Sequence, residues 1–169
     1  MKSYLITAAF IGALTASLQA WQDEVTTRKP DPAFLAIRPL HLSFQMSWNG
    51  AINSGRLNMI FGRKDARYPN HFITQIYGES TGLARSLYPY NYSFTSFLKK
   101  GSYLPSMFTS TETTSKGRTE TSNWYRPSLR SREIFTPSRK GSGPRTRNST
   151  FSFSKAPVYD LASALIYLR

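Results

Sequence analysis

The sequence contains no cysteine in 169 residues, so no disulfide contributes to the stability of the fold. It also has no cysteine after its N-terminal segment to carry a lipid, which argues against a lipoprotein. Histidine is scarce as well, because His41 and His71 are the only two. A structural metal site needs three or four ligands at recognisable spacing, which these residues and Asp65 do not provide. We therefore expect surface histidines, no metal and no cofactor.

Acidic residues are also few, since 9 Asp and Glu stand against 22 Lys and Arg and give a formal net charge of +13. Such a charge favours nucleic acid, an anionic membrane surface or an acidic polymer as partner, or it only keeps the protein soluble. Charged residues nevertheless make up only 18% of the chain and aromatic residues 14%, unlike a disordered, charge-rich chain. Ten Tyr and eleven Phe favour strands over helices.

The first 20 residues have the features of a secretory signal peptide. Lys2 supplies the positive charge, and the apolar run from Tyr4 to Leu14 is too short to span a bilayer. Ala20 is a small residue suited to cleavage, and an uncleaved anchor is the alternative. We expect a periplasmic or secreted protein, cleaved near Ala20. Export argues against nucleic acid as the partner, and no later stretch is apolar and long enough to cross a membrane.

The most specific structural pattern lies between Leu40 and Phe61. Apolar and polar residues alternate strictly from Leu40 to Trp48, which indicates a strand with one apolar face. Asn49 and Gly50 follow, and they favour a two-residue hairpin turn because both accept positive φ. The return strand ends at Phe61, and Gly55 near its start predicts a bulge or a sharp bend.

Residues 39–169 are predicted to form one β-rich domain, preceded by an extended lead-in over residues 21–38. One or two helical turns, capped by Thr81, are predicted within residues 79–88, and an exposed loop over residues 137–148. Further strands are predicted over residues 72–77, 92–98, 104–114, 118–125, 129–136 and 150–154. The predicted fold is mainly β, a curved antiparallel sheet that forms an open or partial barrel, with one C-terminal helix.

That helix is predicted to begin at Asp160, whose carboxylate is suited to an N-cap. The spacing of the apolar residues places one apolar face along it, made of Leu161, Ala164, Leu165 and Leu168. Ser163 lies close to Asp160, but a nucleophilic serine needs a base and an orienting group, and no Gly-x-Ser-x-Gly elbow is present. We therefore interpret Ser163 as a first-turn residue, assign no catalytic residue and expect a protein that is not an enzyme.

The segment from Phe44 through Asn49-Gly50 to Gly55 and the closing run from Val158 to Arg169, with Tyr103-Leu104-Pro105 between them, resemble one family. It is the exported bacterial family catalogued as domain of unknown function 3108, and the resemblance covers about residues 39–169. It implies an envelope-associated protein with a long antiparallel sheet curled into an open barrel, and it implies no established activity. Members usually continue past this helix with further strands, so the resemblance also implies a truncated or short member.

The apolar face of the hairpin is the first candidate binding site. It would line a pocket for a lipid or another amphipathic ligand, as small ligands are held in open barrels. The alternative is a filled core with the closing helix packed on this face, because periodicity does not distinguish the two. The candidate ligand-binding residues are Phe44, Met46, Trp48, Leu57, Met59 and Phe61.

The second candidate site is the basic stretch from Lys99 to Lys155, in which Glu112, Glu120 and Glu133 are the only acidic residues. In an exported protein it would hold anionic lipid or acidic polysaccharide at the envelope surface, which makes a scaffolding or adhesive protein the alternative function. A solvated face with a loop is the simpler interpretation. The candidate anion-binding residues are Arg126, Arg130, Arg132, Arg139, Lys140, Arg145 and Arg147. The sequence does not indicate an oligomeric state.

Overall fold

Eight antiparallel strands lie in one sheet in the same order as in the chain, so each strand pairs with its neighbours in sequence. The computed structural model describes residues 38–50, 52–126, 128–152 and 158–167. The strands are β1 (Leu40–Trp48), β2 (Ile52–Arg63), β3 (His71–Ser80), β4 (Tyr90–Lys99), β5 (Pro105–Thr114), β6 (Gly117–Trp124), β7 (Leu129–Pro137) and β8 (Arg145–Phe151). The helices are α1 (Gly82–Leu87) and α2 (Leu161–Tyr167). The predicted fold is confirmed: the sheet is antiparallel and open, with edges at β1 and β8.

The hairpin of β1 and β2 forms where the alternation predicts it, but its turn is longer than two residues. Asn49 and Gly50 have the expected positive φ, of 49° and 71°. Trp48 pairs with Ile52, so three residues lie between the paired positions. This register keeps the side chains of Trp48 and Ile52 on the same face, whereas pairing one residue earlier would send Ile52 to the polar face.

The predicted irregularity at Gly55 is confirmed as a β-bulge. The register shifts between Met46 and Ser47, which leaves Ser54 as the extra residue of β2. The Ser54 hydroxyl donates a hydrogen bond to the carbonyl of Met46 at 3.1 Å. A Cβ atom at Gly55 would lie 2.6 Å from Met46 Cε and 3.0 Å from the Glu79 carbonyl oxygen, so a larger residue would displace Met46 and crowd β3.

Two local predictions are wrong. Residues 145–148, predicted as part of a loop, are the start of β8, and only residues 138–144 connect it to β7. Arg147 lies opposite Glu133, and this pairing of opposite charges across the ladder accommodates an arginine-rich edge strand. Thr81 does occupy the N-cap position of α1, but the capping hydrogen bond expected from its side chain is absent. The predicted strand over residues 150–154 lies partly in β8, and its last two residues are outside the described ones.

Helix α2 packs on one face of the sheet, called the α2 face here. Ile166 packs with Phe72 and Leu98, and Ala162 packs with Ile76 and Phe94, so the helix lies over β3 and β4. The predicted apolar helix face is wrong. The buried residues are Ala162, Ser163 and Ile166, whereas Leu161 is 56% exposed and Leu165 is also exposed, and Leu168 lies outside the described residues. Small residues at 162 and 163 let the helix approach the sheet closely.

Asp160 fixes the start of α2, as predicted. Its carboxylate Oδ1 accepts a hydrogen bond from the backbone N–H of Ser163 at 2.8 Å, and the Ser163 hydroxyl accepts one from the backbone N–H of Asp160 at 2.8 Å. This reciprocal arrangement is a capping box. Oδ2 of Asp160 accepts a further hydrogen bond from the Ser96 hydroxyl on β4, and all three residues are buried. The cap therefore also holds the helix to the sheet.

Thr74 is a buried polar residue on the α2 face whose hydroxyl finds no partner. Its exposed fraction is 0%, and Oγ1 makes no hydrogen bond. Valine has the same shape without the hydroxyl, so Thr74→Val should raise the free energy of unfolding by about 1 kcal/mol, measured by denaturant titration. Thr95→Val is the matched control: Thr95 Oγ1 accepts a hydrogen bond from Gln75 at 3.3 Å, so this change should not stabilise. A loss of stability in Thr74→Val would contradict the prediction.

Candidate functional site

The edge strand β1 carries a row of exposed apolar side chains. Its alternate residues Leu40, Leu42, Phe44, Met46 and Trp48, called the β1 stripe here, share the α2 face with their partners on β2. Phe44 is 46% exposed and Trp48 71% exposed, although both are large and apolar. Contiguous exposed apolar patches are uncommon on monomeric proteins and mark interaction sites.

The partners of the β1 stripe on β2 are less exposed. Phe44 lies opposite Leu57. Leu57 and Met59 pack against the cluster under Ala162, and Phe61 packs against the cluster around Ile166. The candidate ligand-binding residues are therefore brought together on one face, but they differ in burial. Those on β2 belong to the core beneath α2, and those on β1 are exposed.

Helix α2 carries further exposed apolar side chains. The Tyr167 hydroxyl donates a hydrogen bond to the carbonyl of Ser102 at 2.6 Å, so the helix turns Tyr167 towards the connection between β4 and β5. Successive residues of an α-helix are rotated by about 100°, so Leu161 and Leu165 lie on a different side of α2 from Tyr167. Both leucines are exposed, as are most side chains of the β1 stripe.

A pocket of about 500 Å³ lies at the end of the sheet where β1 begins. Pro39, which directly precedes the β1 stripe, is part of its wall. We call it the end pocket; its lining is Pro39, Gly62, Arg63, Lys64, Asp65, Ala66, Tyr68, Pro69, His71, Phe72 and Lys100. The lining combines apolar side chains with the cations Arg63, Lys64 and Lys100, a combination that suits an amphipathic molecule.

The charge of the end pocket is positive because its one carboxylate is already paired. Asp65 accepts hydrogen bonds from Arg67, with Oδ2 at 2.9 Å from Nη2 and Oδ1 at 3.1 Å from Nε. These bonds lower the pKa of Asp65 to about 2, so it is ionised at neutral pH and neutralised by Arg67. Lys100 donates to the Pro69 carbonyl at 2.6 Å, which fixes its ammonium group at the pocket. Nδ1 of His71 is buried there without a hydrogen-bond partner.

The candidate anion-binding residues do not form one patch. The strand register places Arg130 and Arg132 on the face opposite α2, and Arg145 and Arg147 on the α2 face. Arg139 and Lys140 lie in the connection of β7 and β8, at the other end of the sheet from Arg126. The sequence places these cations close together in the chain, and the strand alternation then separates them.

A row of tyrosines at the start of β4 is one feature that the sequence analysis did not predict. The Tyr88 and Tyr90 rings stack at 6.2 Å between centroids, and Tyr90 and Tyr92 at 6.5 Å. Burial is the main cause that raises the pKa of both Tyr90 and Tyr92. The period-two spacing of the three tyrosines was the available signal. The stacked rings cover one another's faces, so the row is mainly a packing feature.

Other candidate sites find little support. Within the described ranges, no three His, Asp or Glu side chains lie close enough together to bind a metal ion. No helix in that part of the chain has the length and apolar character to span a membrane.

Comparison with protein families, with curated proteins and with solved structures finds no match for this chain. Membership of the exported family of unknown function therefore stays a prediction.

Proposed function

We propose that this protein binds an amphipathic ligand with an anionic head group, as a non-enzymatic binding protein of the bacterial envelope. The apolar chain of the ligand lies along the β1 stripe, and its head group occupies the end pocket. The observation that carries the proposal is an open apolar strand face whose first residue, Leu40, directly follows Pro39 in the wall of a cationic pocket. The predicted signal peptide supports the location.

The dimensions support a lipid-sized ligand. Eight residue steps separate Leu40 from Trp48, and a strand rises about 3.3 Å per residue, so the β1 stripe is about 26 Å long. The hydrocarbon core of a bilayer is about 30 Å thick for two leaflets, so one acyl chain needs about half of that. Burial contributes about 25 cal/mol for each Å² of apolar surface removed from water. The exposed side chains of β1 provide that surface.

The charges define the orientation of the ligand. Arg63, Lys64 and Lys100 surround the end pocket, whereas β1 itself carries no charged residue. Near the other half of the stripe, Arg56 on β2 lies beside Glu79, so an anionic head group gains most attraction at the Leu40 end. The tail then points towards Trp48 and the hairpin turn.

The alternative, a basic scaffold for anionic surfaces, receives less support. It requires cations gathered on one face, and the arginines of β7 and β8 alternate between both faces. A serine hydrolase is also less well supported, because the Ser163 hydroxyl is wholly buried and hydrogen-bonded to Asp160.

The proposal is tested with oleate and oleyl alcohol as probes, using isothermal titration calorimetry on protein produced from the full chain. Both should bind, and Phe44→Ala should weaken both about tenfold, because about 1.4 kcal/mol of apolar contact is lost. Gln45→Ala is the matched control on the other face of β1 and should change neither affinity. Native mass spectrometry of the same protein should show a lipid that solvent extraction removes.

A separate variant tests whether the head group binds in the end pocket. Lys64→Gln should weaken oleate about threefold and leave oleyl alcohol unchanged, since a screened ion pair contributes up to about 1 kcal/mol. Lys116→Gln removes the same charge at the opposite end of the sheet and is the control. Folded protein that binds neither probe would refute the function, and equal weakening of both probes by Lys64→Gln would refute the orientation.

A further inference from the structure

The two edges of the sheet differ in how they are protected. An edge strand presents unpaired backbone N–H and C=O groups, which can pair with another strand unless charges, proline or bulges prevent it. Strand β8 carries Arg145 and Arg147 on its edge. Strand β1 has nine residues and contains neither a charged residue nor a proline. Among the described strands, none pairs with its outer hydrogen-bonding groups.

We propose that β1 pairs antiparallel with β1 of a second copy of this chain, across a two-fold axis at Phe44. The β1 sequence is complementary to itself in this register. Leu42 then lies opposite the partner's Met46, and Leu40 lies opposite the partner's Trp48. On the polar face Ser43 lies opposite the partner's Gln45. Apolar residues meet apolar residues on one face, and polar residues meet polar residues on the other, as an isologous interface requires.

The charge distribution favours a second copy in spite of the net charge of +13. The arginines of β7 and β8 lie at least six strand spacings from β1, or about 29 Å in each copy at about 4.8 Å per spacing. The Debye length at physiological ionic strength is about 8 Å, so these charges are screened from the partner. A nearer cation, Arg56 on β2, lies opposite Gln45, and its guanidinium is 3.8 Å from the Glu79 carboxylate. Strand β1 itself is uncharged, so two copies approach each other along it at little electrostatic cost.

Pairing also removes part of the exposed apolar surface. The β1 stripes of the two copies would lie side by side between the two α2 helices. The outer edges of Phe44 and Met46, each 46% exposed in one copy, would then contact the partner's stripe. The pairing follows from the backbone edge and the alternation, and it does not depend on a ligand.

The first test is the mass of the full chain by sedimentation equilibrium at several concentrations, without added lipid. The unmodified protein should be a dimer that dissociates on dilution. Ser43→Lys with Gln45→Lys places lysine opposite lysine, and Ser43→Glu with Gln45→Glu places glutamate opposite glutamate. Each double variant should be monomeric, and an equimolar mixture of the two should form a heterodimer. Thr150→Lys on β8 is the control and should stay dimeric.

Disulfide cross-linking tests the register of this pairing, because the chain has no native cysteine and a single introduced one can react only with its copy in the partner. Directly opposed residues of an antiparallel pair have Cα atoms about 4.5–5.5 Å apart, within the range of a disulfide. Phe44→Cys should therefore cross-link to itself on mild oxidation. Trp48→Cys should not, because two copies of residue 48 would lie about 26 Å apart on this interface, although Trp48 is the more exposed residue.

Several results would overturn the dimer. These are a monomer at all concentrations, a dimer that survives both double variants, or more cross-linking at position 48 than at 44. The double variants change only the polar face of β1, so oleate binding by the monomeric variants tests the proposed function separately. Dimer loss with oleate binding retained separates the two proposals, and a dimer without oleate binding refutes only the function.

Discussion

Asp160→Ala should lower the free energy of unfolding by about 2–4 kcal/mol. The change removes the N-cap of α2, which contributes about 1 kcal/mol in a typical helix. It also leaves the buried hydroxyl of Ser96 without its acceptor, and an unsatisfied buried group costs about 1–3 kcal/mol, partly offset by rearrangement. The Ser163 hydroxyl keeps the backbone carbonyl of residue 160 as an acceptor. Denaturant titration followed by tryptophan fluorescence measures the loss.

The matched variants of this prediction separate its two causes. Asp160→Asn keeps the shape and two polar atoms, so it should cost less than Asp160→Ala. Ser96→Ala in the wild-type and in the Asp160→Ala background completes a double-mutant cycle, and the coupling should be at least about 0.5 kcal/mol. Glu79→Ala removes an exposed carboxylate 3.8 Å from Arg56 and should cost less than about 1 kcal/mol. Equal losses for Asp160→Ala and Glu79→Ala would contradict the capping role.

Leu98→Ala should be about equally damaging, with a loss of about 2–5 kcal/mol. Leu98 is 0% exposed and packs with Phe72, Tyr103 and Ile166, where the end of β4 meets α2. Truncation removes buried methyl groups and leaves a cavity that the surrounding sheet and helix fill only in part. The midpoint of denaturant unfolding should fall while the slope stays the same.

Leu87→Ala provides the same chemical change on the surface. Leu87 is 79% exposed at the end of α1, so its truncation should change the free energy of unfolding by less than about 0.5 kcal/mol. A loss in Leu87→Ala as large as in Leu98→Ala would mean that burial does not explain the effect. A small loss in both would mean that Leu98 is not part of a cooperative core.

The strands were predictable from the sequence where alternation and turn chemistry agree. The pattern from Leu40 to Trp48, the positive φ of Asn49 and the bulge beside Gly55 are local properties, and the structure confirms them. Asp160 was recognisable for the same reason, because a cap involves residues three positions apart. The mainly β fold class follows from the sum of such local signals.

The buried face of α2 was not predictable, because two faces of the helix carry apolar residues. Leu161 and Leu165 have the larger side chains, and the periodicity favours them. The sheet instead selects Ala162 and Ile166, since the bond from Ser96 to Asp160 fixes the rotation of the helix. The buried face of α2 therefore depends on contacts between distant parts of the chain, and the spacing of apolar residues along the helix does not reveal them.

The residues of the candidate site were predictable from the sequence, but their exposure to solvent was not. Alternation indicates that Phe44 and Leu57 share a face, and they do. It does not indicate how far α2 reaches across that face, and α2 covers β3 and β4 but leaves β1 exposed. The end pocket was also not predictable from the sequence, because its lining comes from three separate parts of the chain: Pro39, residues 62–72 and Lys100.

The order of the strands has a consequence for how the chain folds. Every ladder joins strands that follow each other in sequence, so the sheet can grow one hairpin at a time, with short loops to close. The contacts of α2 are different, since Ser96 and Asp160 are 64 positions apart and Ser102 and Tyr167 are 65 apart. Helix α2 can therefore dock only after residues 158–167 reach β3 and β4, which makes docking a late step of folding. Weakening the contacts of α2 should mainly speed unfolding and leave the rate of sheet formation nearly unchanged.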